Sequence, residues 1–318
     1  MARLVGKAAA AAAALLTMQA FAQQASPGAA ADGEGAQPLE EIVVRGQRMS
    51  EIKDDLRIHI GEFIKEITAL PAGRGFARWQ GRVCVGVHNL ARDPAQYLVD
   101  RISALALEVG LRPGEPGCNP EVVVIFTTDG KETARFIVEE HPTVLRPNGE
   151  GGQQRGLRAM DEFAESDRPI RWWHLSLPVD ARTGAPAIEQ HGGNILGGFG
   201  GAPTVNVEGA SHIYSGIRDA MQSVIIIVDS TKLTGTTWQQ LGDYLAVVAL
   251  AQVDLDADPT AYDSILNLFN NPKAYSGLTD WDRSYVHALY DFDQRRVANL
   301  QRGEIVSKML RREIEAGQ

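Results

Sequence analysis

Only two cysteines, Cys84 and Cys118, occur in the 318 residues. That number excludes a disulfide-dense scaffold, and with no C-x-x-C and no Cys/His cluster neither marks a zinc site. Positive charge is also scarce: 31 Lys and Arg stand against 40 Asp and Glu, a formal net charge of −9. Phosphate backbones are bound by clustered cations, so nucleic acid is not an expected partner. Past the N-terminal region no run approaches the ~18 uncharged apolar residues of a membrane span, so the mature chain is expected to have no transmembrane segment. The phosphate-cradling patterns G-x-x-x-x-G-K-[ST] and G-x-G-x-x-G are missing, as are G-x-S-x-G and H-E-x-x-H. The seven histidines, His59, His88, His141, His174, His191, His212 and His287, never fall within five residues of one another. A two-histidine metal site on one helix is thereby excluded. No metal and no cofactor are expected, and no intact catalytic motif is present.

What is present begins with a leader. Arg3 and Lys7 precede an apolar stretch from Ala8 to Ala22, which closes on Ala20-Phe21-Ala22. This is the three-part layout of a secretory signal peptide, with cleavage expected between Ala22 and Gln23. The apolar run is about 15 residues where a membrane anchor needs about 20. A periplasmic or secreted location follows as the expectation. In such a compartment Cys84 and Cys118 are expected to pair, closing a loop worth roughly 4 kcal/mol in the chain-entropy model.

Residues 23–49 read as a disordered linker rich in Ala, Gly and Gln. It carries one β-prone segment, Glu40-Glu41-Ile42-Val43-Val44-Arg45-Gly46-Gln47-Arg48. That segment resembles the start of mature TonB-dependent outer-membrane receptors, the TonB-box region, except that Arg45 stands where Thr or Ser is usual. The rest of the chain is too short for the barrel of those receptors. The resemblance implies an extended peptide, with Glu41, Ile42, Val43, Val44, Arg45 and Gly46 at its centre, adding a strand to a TonB-like envelope partner. The alternative is an edge strand on the protein's own sheet.

Residues 50–318 read as a single α/β domain: a mixed, largely parallel sheet with a β-α-β unit, then a helical C-terminal third. Ile52, Leu56, Ile60, Phe63 and Ile67 recur at helical spacing between Ser50 and Leu70, and Pro71 stops that helix. Arg82–Val87 is a strand, and Asp93-Pro94 starts a helix with Asp as N-cap. Its stripe is Leu98, Ile102, Leu105 and Val109, and Gly110 ends it. Glu121–Thr127 is a continuous apolar strand of the kind buried in parallel sheets. Lys131–Glu140 is helical, Ile170–Ser176 a strand, and Gly184–Gly209 a glycine-rich loop. Two strands, Ser211–Ile217 and Gln222–Asp229, precede helices near 237–252, 260–269, 280–291 and 293–315, with capping boxes at Thr236/Gln239 and Thr279/Asp282.

Three local patterns fall short of a site. Asp254-x-Asp256-x-Asp258 opens like an EF-hand loop, but Pro259 stands where Gly is needed and Ile265 where Glu is needed. Ser211 and His212, adjacent in a strand, would face opposite ways and cannot act as nucleophile and base. His174, beside two tryptophans, reads as a satisfied core or edge residue.

A wider resemblance concerns about the last 100 residues, where motif spacing is moderately specific. The strand Gln222–Asp229, the helix 237–252 and the segment Leu278–Tyr290 look like the second half of zincin-type metalloproteases. Leu241-Gly242-Asp243-Tyr244-Leu245-Ala246 and Ser264-Ile265-Leu266-Asn267-Leu268-Phe269 are similar to segments of uncharacterised exported proteobacterial proteins. Where zincins carry H-E-x-x-H this helix reads Gly242-Asp243-Tyr244-Leu245-Ala246, so the resemblance implies a zincin-like fold without zinc. Asp243 then needs a structural role, as a buried carboxylate with partners.

The function expected is that of an exported soluble envelope protein with a non-catalytic binding or structural role. One alternative is a periplasmic hydrolase using Asp243, Asp282 and His287 as acid and base; another is a TonB-linked accessory protein acting through residues 40–48. Intact-mass measurement on envelope material should show a chain lacking its first 22 residues and two further hydrogens. Two thiols alkylated without reductant would refute the disulfide.

Overall fold

Val224-Ile225-Ile226-Ile227-Val228, the longest β-branched run, is fully buried and lies at the centre of a four-stranded sheet. The computed structural model describes residues 39–70, 73–145, 156–189, 203–204 and 212–316. Leader residues 1–22, segment 23–38 and most of the glycine-rich stretch lie outside the described residues. In chain order the elements are α1 (Leu39–Ile67), β1 (Arg82–Val83), β2 (Val85–His88), α2 (Arg92–Glu108), β3 (Arg112–Pro113) and β4 (Val122–Thr127). Then come α3 (Gly130–Glu140), α4 (Pro142–Leu145), α5 (Gly156–Glu165), β5 (Ile170–Asp180), β6 (Ile188–Glu189) and β7 (Pro203–Thr204). The last elements are β8 (Ile217–Asp229), α6 (Trp238–Leu250), α7 (Asp280–Asp291) and α8 (Ala298–Ala316). Arg48–Gln318 is one compact unit; of the unit Met1–Gln47 only the start of α1 is described.

The main sheet runs β2-β4-β8-β5. Strands β2, β4 and β8 are parallel, and β5 pairs antiparallel with β8 along its whole length. This is the expected α/β class with a β-α-β unit, β2-α2-β4. Successive side chains of a strand face opposite ways, and β5 shows what covers each face. Trp172 Nε1 donates to the Val253 carbonyl beyond α6 at 2.9 Å, while Trp173 Nε1 donates to the Leu145 carbonyl ending α4 at 3.1 Å. One face therefore carries α6, with α2 packed on it, and the other carries α3, α4 and α5. Every residue of α6 from Gln240 to Leu250 is buried. A helix apolar on all sides belongs in a core, and that is where α6 lies.

Between α1 and β1 the chain crosses the interior without regular structure. Its polar backbone is satisfied by side chains instead. Gly75 N–H donates to Asp219 Oδ2 at 2.7 Å, Phe76 N–H to Gln301 Oε1 at 2.9 Å and Ala77 N–H to Gln252 Oε1 at 3.2 Å. Gln294 Nε2 donates to the carbonyls of Phe76 and Asp219, and Met221 N–H donates to the Arg78 carbonyl. The segment thus ties β8 to the end of α6, the α7–α8 connection and α8.

Several expectations are corrected. Glu40–Arg48, expected to be extended, forms the first turns of α1, which starts at Leu39 and not at Ser50. Extending an existing helix needs no new nucleus, which outweighs the modest cost of β-branched residues. Arg82–Val87 is two strands, because at Cys84 the chain changes partner: the Cys84 carbonyl accepts from the N–H groups of Glu121 and Val122. The N-cap of α2 is Ala91, with no side-chain bond, and Asp93 lies in the first turn. His212–Gly216 is not part of a strand; Tyr214 bridges to Arg296, and β8 begins at Ile217. The helix expected over 260–269 is two 3-10 turns, Pro259–Ala261 and Ile265–Asn267. Asp258 and Ser264 cap them, and Asn267 Nδ2 donates to the carbonyls of Pro259 and Tyr262, so side chains outcompete the helical ladder. The capping box of α6 is Thr237 with Gln240, one residue on from the expected pair; that of α7 is Thr279 with Asp282, as expected.

Cys84 and Cys118 form a disulfide with Cα atoms 6.2 Å apart. Gly114 passes against it. A Cβ there would lie 2.4 Å from Cys118 Sγ and 2.9 Å from Cys84 Cβ, closer than atoms pack. Gly114→Ala is therefore expected to lower stability by about 2–4 kcal/mol, through overpacking and loss of the bridge in part of the molecules. Denaturant melts with thiol quantitation check this; an unchanged midpoint with the bridge intact would contradict it.

Candidate functional site

The three residues of the hydrolase reading are each committed elsewhere. Asp243, on α6, is 4% exposed. Its Oδ1 accepts from Arg101 Nε at 2.9 Å and from Arg101 Nη2, and its Oδ2 accepts from Leu278 N–H at 2.9 Å. The pair forms because α2 and α6 cross closely at Gly242, where a Cβ would lie 2.9 Å from Arg101 Cγ. Tyr244, the next residue, points elsewhere, edge-on to Trp172 and Phe269.

Asp282 is 1% exposed and closes the α7 capping box. It accepts from Ser264 Oγ, Ile265 N–H, Thr279 N–H and Thr279 Oγ1, at 2.6–3.1 Å. Burial pushes its carboxyl up from the ordinary value, and these hydrogen bonds oppose that without cancelling it. His287 lies further along α7 with Nε2 3.9 Å from Glu108 Oε2. Burial, with the nearby cation Arg312, holds its imidazole below the ordinary value. Asp243, Asp282 and His287 thus each have their own partners, and Asp243 and Asp282 accept from the consecutive N–H groups of Leu278 and Thr279. No hydrogen bond or ion pair links the three to one another among the described residues.

The other singled-out residues are also placed. His174 Nε2 meets the Val248 carbonyl at 2.7 Å. Asp254 accepts from Asp256 N–H and Asp258 caps the next turn, so both carboxylates serve the local backbone. Among the described residues no group of three or more His, Cys, Asp or Glu is placed to hold a metal. At the carboxyl ends of the parallel strands, the usual ligand position in open α/β sheets, Asp229 and Arg171 are packed together, and Arg171 Nε and Nη2 are buried without an acceptor. Asp229 accepts from Gly130 N–H, Thr231 N–H and Thr231 Oγ1, and the fully buried Arg171 packs on Gly130 beside it.

A concavity among the described residues lies at the opposite end of the sheet. There β8 runs on past β4 from Ile217 to Gln222, and the chain around Trp79 covers only part of its free edge. A pocket of about 240 Å³ opens between them. Trp79, Ala220, Met221 and Val179 supply apolar wall, and Gly184 closes the turn after β5. The polar groups are Gln80, Gln222, Arg82, Glu121 and Arg218.

Charge in this pocket is unbalanced. Glu121 Oε2 accepts from Cys84 N–H at 2.7 Å, and its Oε1 lies 3.5 Å from Arg82 Nη2. That carboxylate and that arginine neutralise each other. Arg218 has no carboxylate partner among the described residues, and its Nε is buried with no hydrogen-bond acceptor. A second guanidinium, Arg78, lies near enough that burial first and Arg218 in addition pull it below its ordinary value. Among the charged side chains that line the pocket, two arginines stand against one glutamate.

These residues come from four distant segments, so no local spacing marks them. The one signal available is the charged pair Arg218-Asp219 at the start of β8. No protein-family model matches the chain, and no curated protein and no solved structure matches it.

Asp243→Ala should cost about 2–4 kcal/mol, because it orphans Arg101 and a backbone N–H at a buried helix crossing. A thermal melt checks this. An unchanged or raised midpoint would mean that the contact is strained, and would return Asp243 to the pool of catalytic groups.

Proposed function

We propose that this protein is an exported, soluble binding protein that acts without catalysis, its ligand seated in the pocket at the free end of β8. The observation that carries this reading is the chemistry of the pocket wall. It is made of guanidinium, amide and apolar groups with one already-paired carboxylate, and its side chains include no hydroxyl, thiol or imidazole. Such a wall orients and holds a molecule but offers no nucleophile and no proton shuttle near neutral pH. The leader-like residues Met1–Ala22 support export, and the Cys84–Cys118 bridge suits an oxidising compartment. No helix among the described residues is long and apolar enough to cross a membrane.

Native mass spectrometry of the full chain isolated from envelope extract should show a non-covalent small-molecule adduct that is lost on gentle activation. A chain without adduct, whose melting point no fraction of a small-molecule extract raises, would overturn the reading. Turnover of a model ester or peptide that disappears in Asp243→Asn would favour the hydrolase instead.

A further inference from the structure

Resting on that binding reading, we infer that the pocket takes a small aliphatic carboxylate, anchored through the unpaired guanidinium of Arg218. The inference starts from the Arg218 guanidinium, which lines the pocket and makes no ion pair with a described residue, its Nε being buried without an acceptor. Other guanidinium nitrogens, those of Arg74 and Arg171 among them, are also buried without an acceptor, but of these arginines Arg218 is the one that borders the pocket, where a partner has room to enter. The partner must be an acceptor and should be anionic, because Arg82 and Glu121 cancel each other and Arg218 is left as net positive charge. A planar guanidinium fork matches a carboxylate or a phosphate through two parallel hydrogen bonds.

Size and lining then favour the carboxylate. At about 240 Å³ the space is below the roughly 300–1,000 Å³ of sites for drug-sized ligands, so the guest has few heavy atoms. Beside Arg218 stand Ala220, Met221 and Val179, and these give a short hydrocarbon chain something to pack on. Inorganic phosphate has no part that uses that wall. The exposed amide of Gln222, one turn of the pleat beyond Ala220, can receive a second polar group at the far end of the chain.

The test is calorimetry on the full mature chain, at matched ionic strength, with butyrate, succinate, inorganic phosphate and chloride as separate titrants. A carboxylate should bind, and Arg218→Gln should weaken it by about tenfold or more, the scale of losing a charge-assisted fork. Arg82→Gln should weaken it by only about threefold, since Arg82 already shares Glu121. If Arg218→Gln does not fold, Arg218→Lys keeps the charge without the fork and should still bind several-fold more weakly. Phosphate binding with the same Arg218 dependence, while carboxylates do not bind, would overturn the carboxylate. Carboxylate binding indifferent to Arg218 would overturn the site. If neither anion binds at millimolar concentration this inference fails. An adduct from envelope extract would then still uphold the binding reading, so the two failures are distinguishable.

Discussion

Backbone that crosses a core outside a helix or a sheet must find hydrogen-bond partners elsewhere, and the chain from Gly75 to Trp79 meets that constraint with side chains. Asp219, Gln252, Gln294 and Gln301 come from β8, the end of α6, the α7–α8 connection and α8, yet all four converge on this short stretch. Each buried amide is almost fully used; Gln301, for example, also donates to the carbonyls of Gln294 and Arg296. Removing one partner would leave a backbone group unmet in low dielectric, at a cost of about 1–3 kcal/mol. The network therefore sets where the C-terminal helices sit on the sheet. It also leaves β8 uncovered just beyond, which is where the pocket opens.

The buried charges divide by whether they are matched. Asp243 with Arg101, Asp219 with Arg74, and Asp282 with its four donors are paired, and each fastens one element to another. A charge in low dielectric is tolerable only when it is so compensated. Arg171 and Arg218 depart from that pattern, and of the two Arg218 lines a concave surface, where there is room for a guest.

Much of the fold was legible in the chain because it depends on local periodicity. The stripe Leu98, Ile102, Leu105 announced α2, the apolar runs announced β4 and the centre of β8, and Thr279 with Asp282 announced the start of α7. Errors arose where non-local partners decide. The segment 260–269 looked helical by composition, but its capping side chains and Asp282, eighteen residues beyond Ser264, take the backbone groups a helix would need. Likewise Arg82–Val87 reads as one strand until Glu121 binds the Cys84 N–H and redirects the ladder.

The linear order of residues by itself determined the α/β class, the burial of α6, the need of Asp243 for a partner and the absence of the familiar catalytic motifs. Each follows from hydrophobic period, cap chemistry or residue type, which act over a few positions along the chain. Only the tertiary structure decided that Asp243 meets Arg101, that Asp282 meets Ser264, and that Arg218 lacks a counter-charge among the described residues. Those outcomes depend on which side chains from distant segments share one desolvated volume, and no short-range pattern encodes that coincidence.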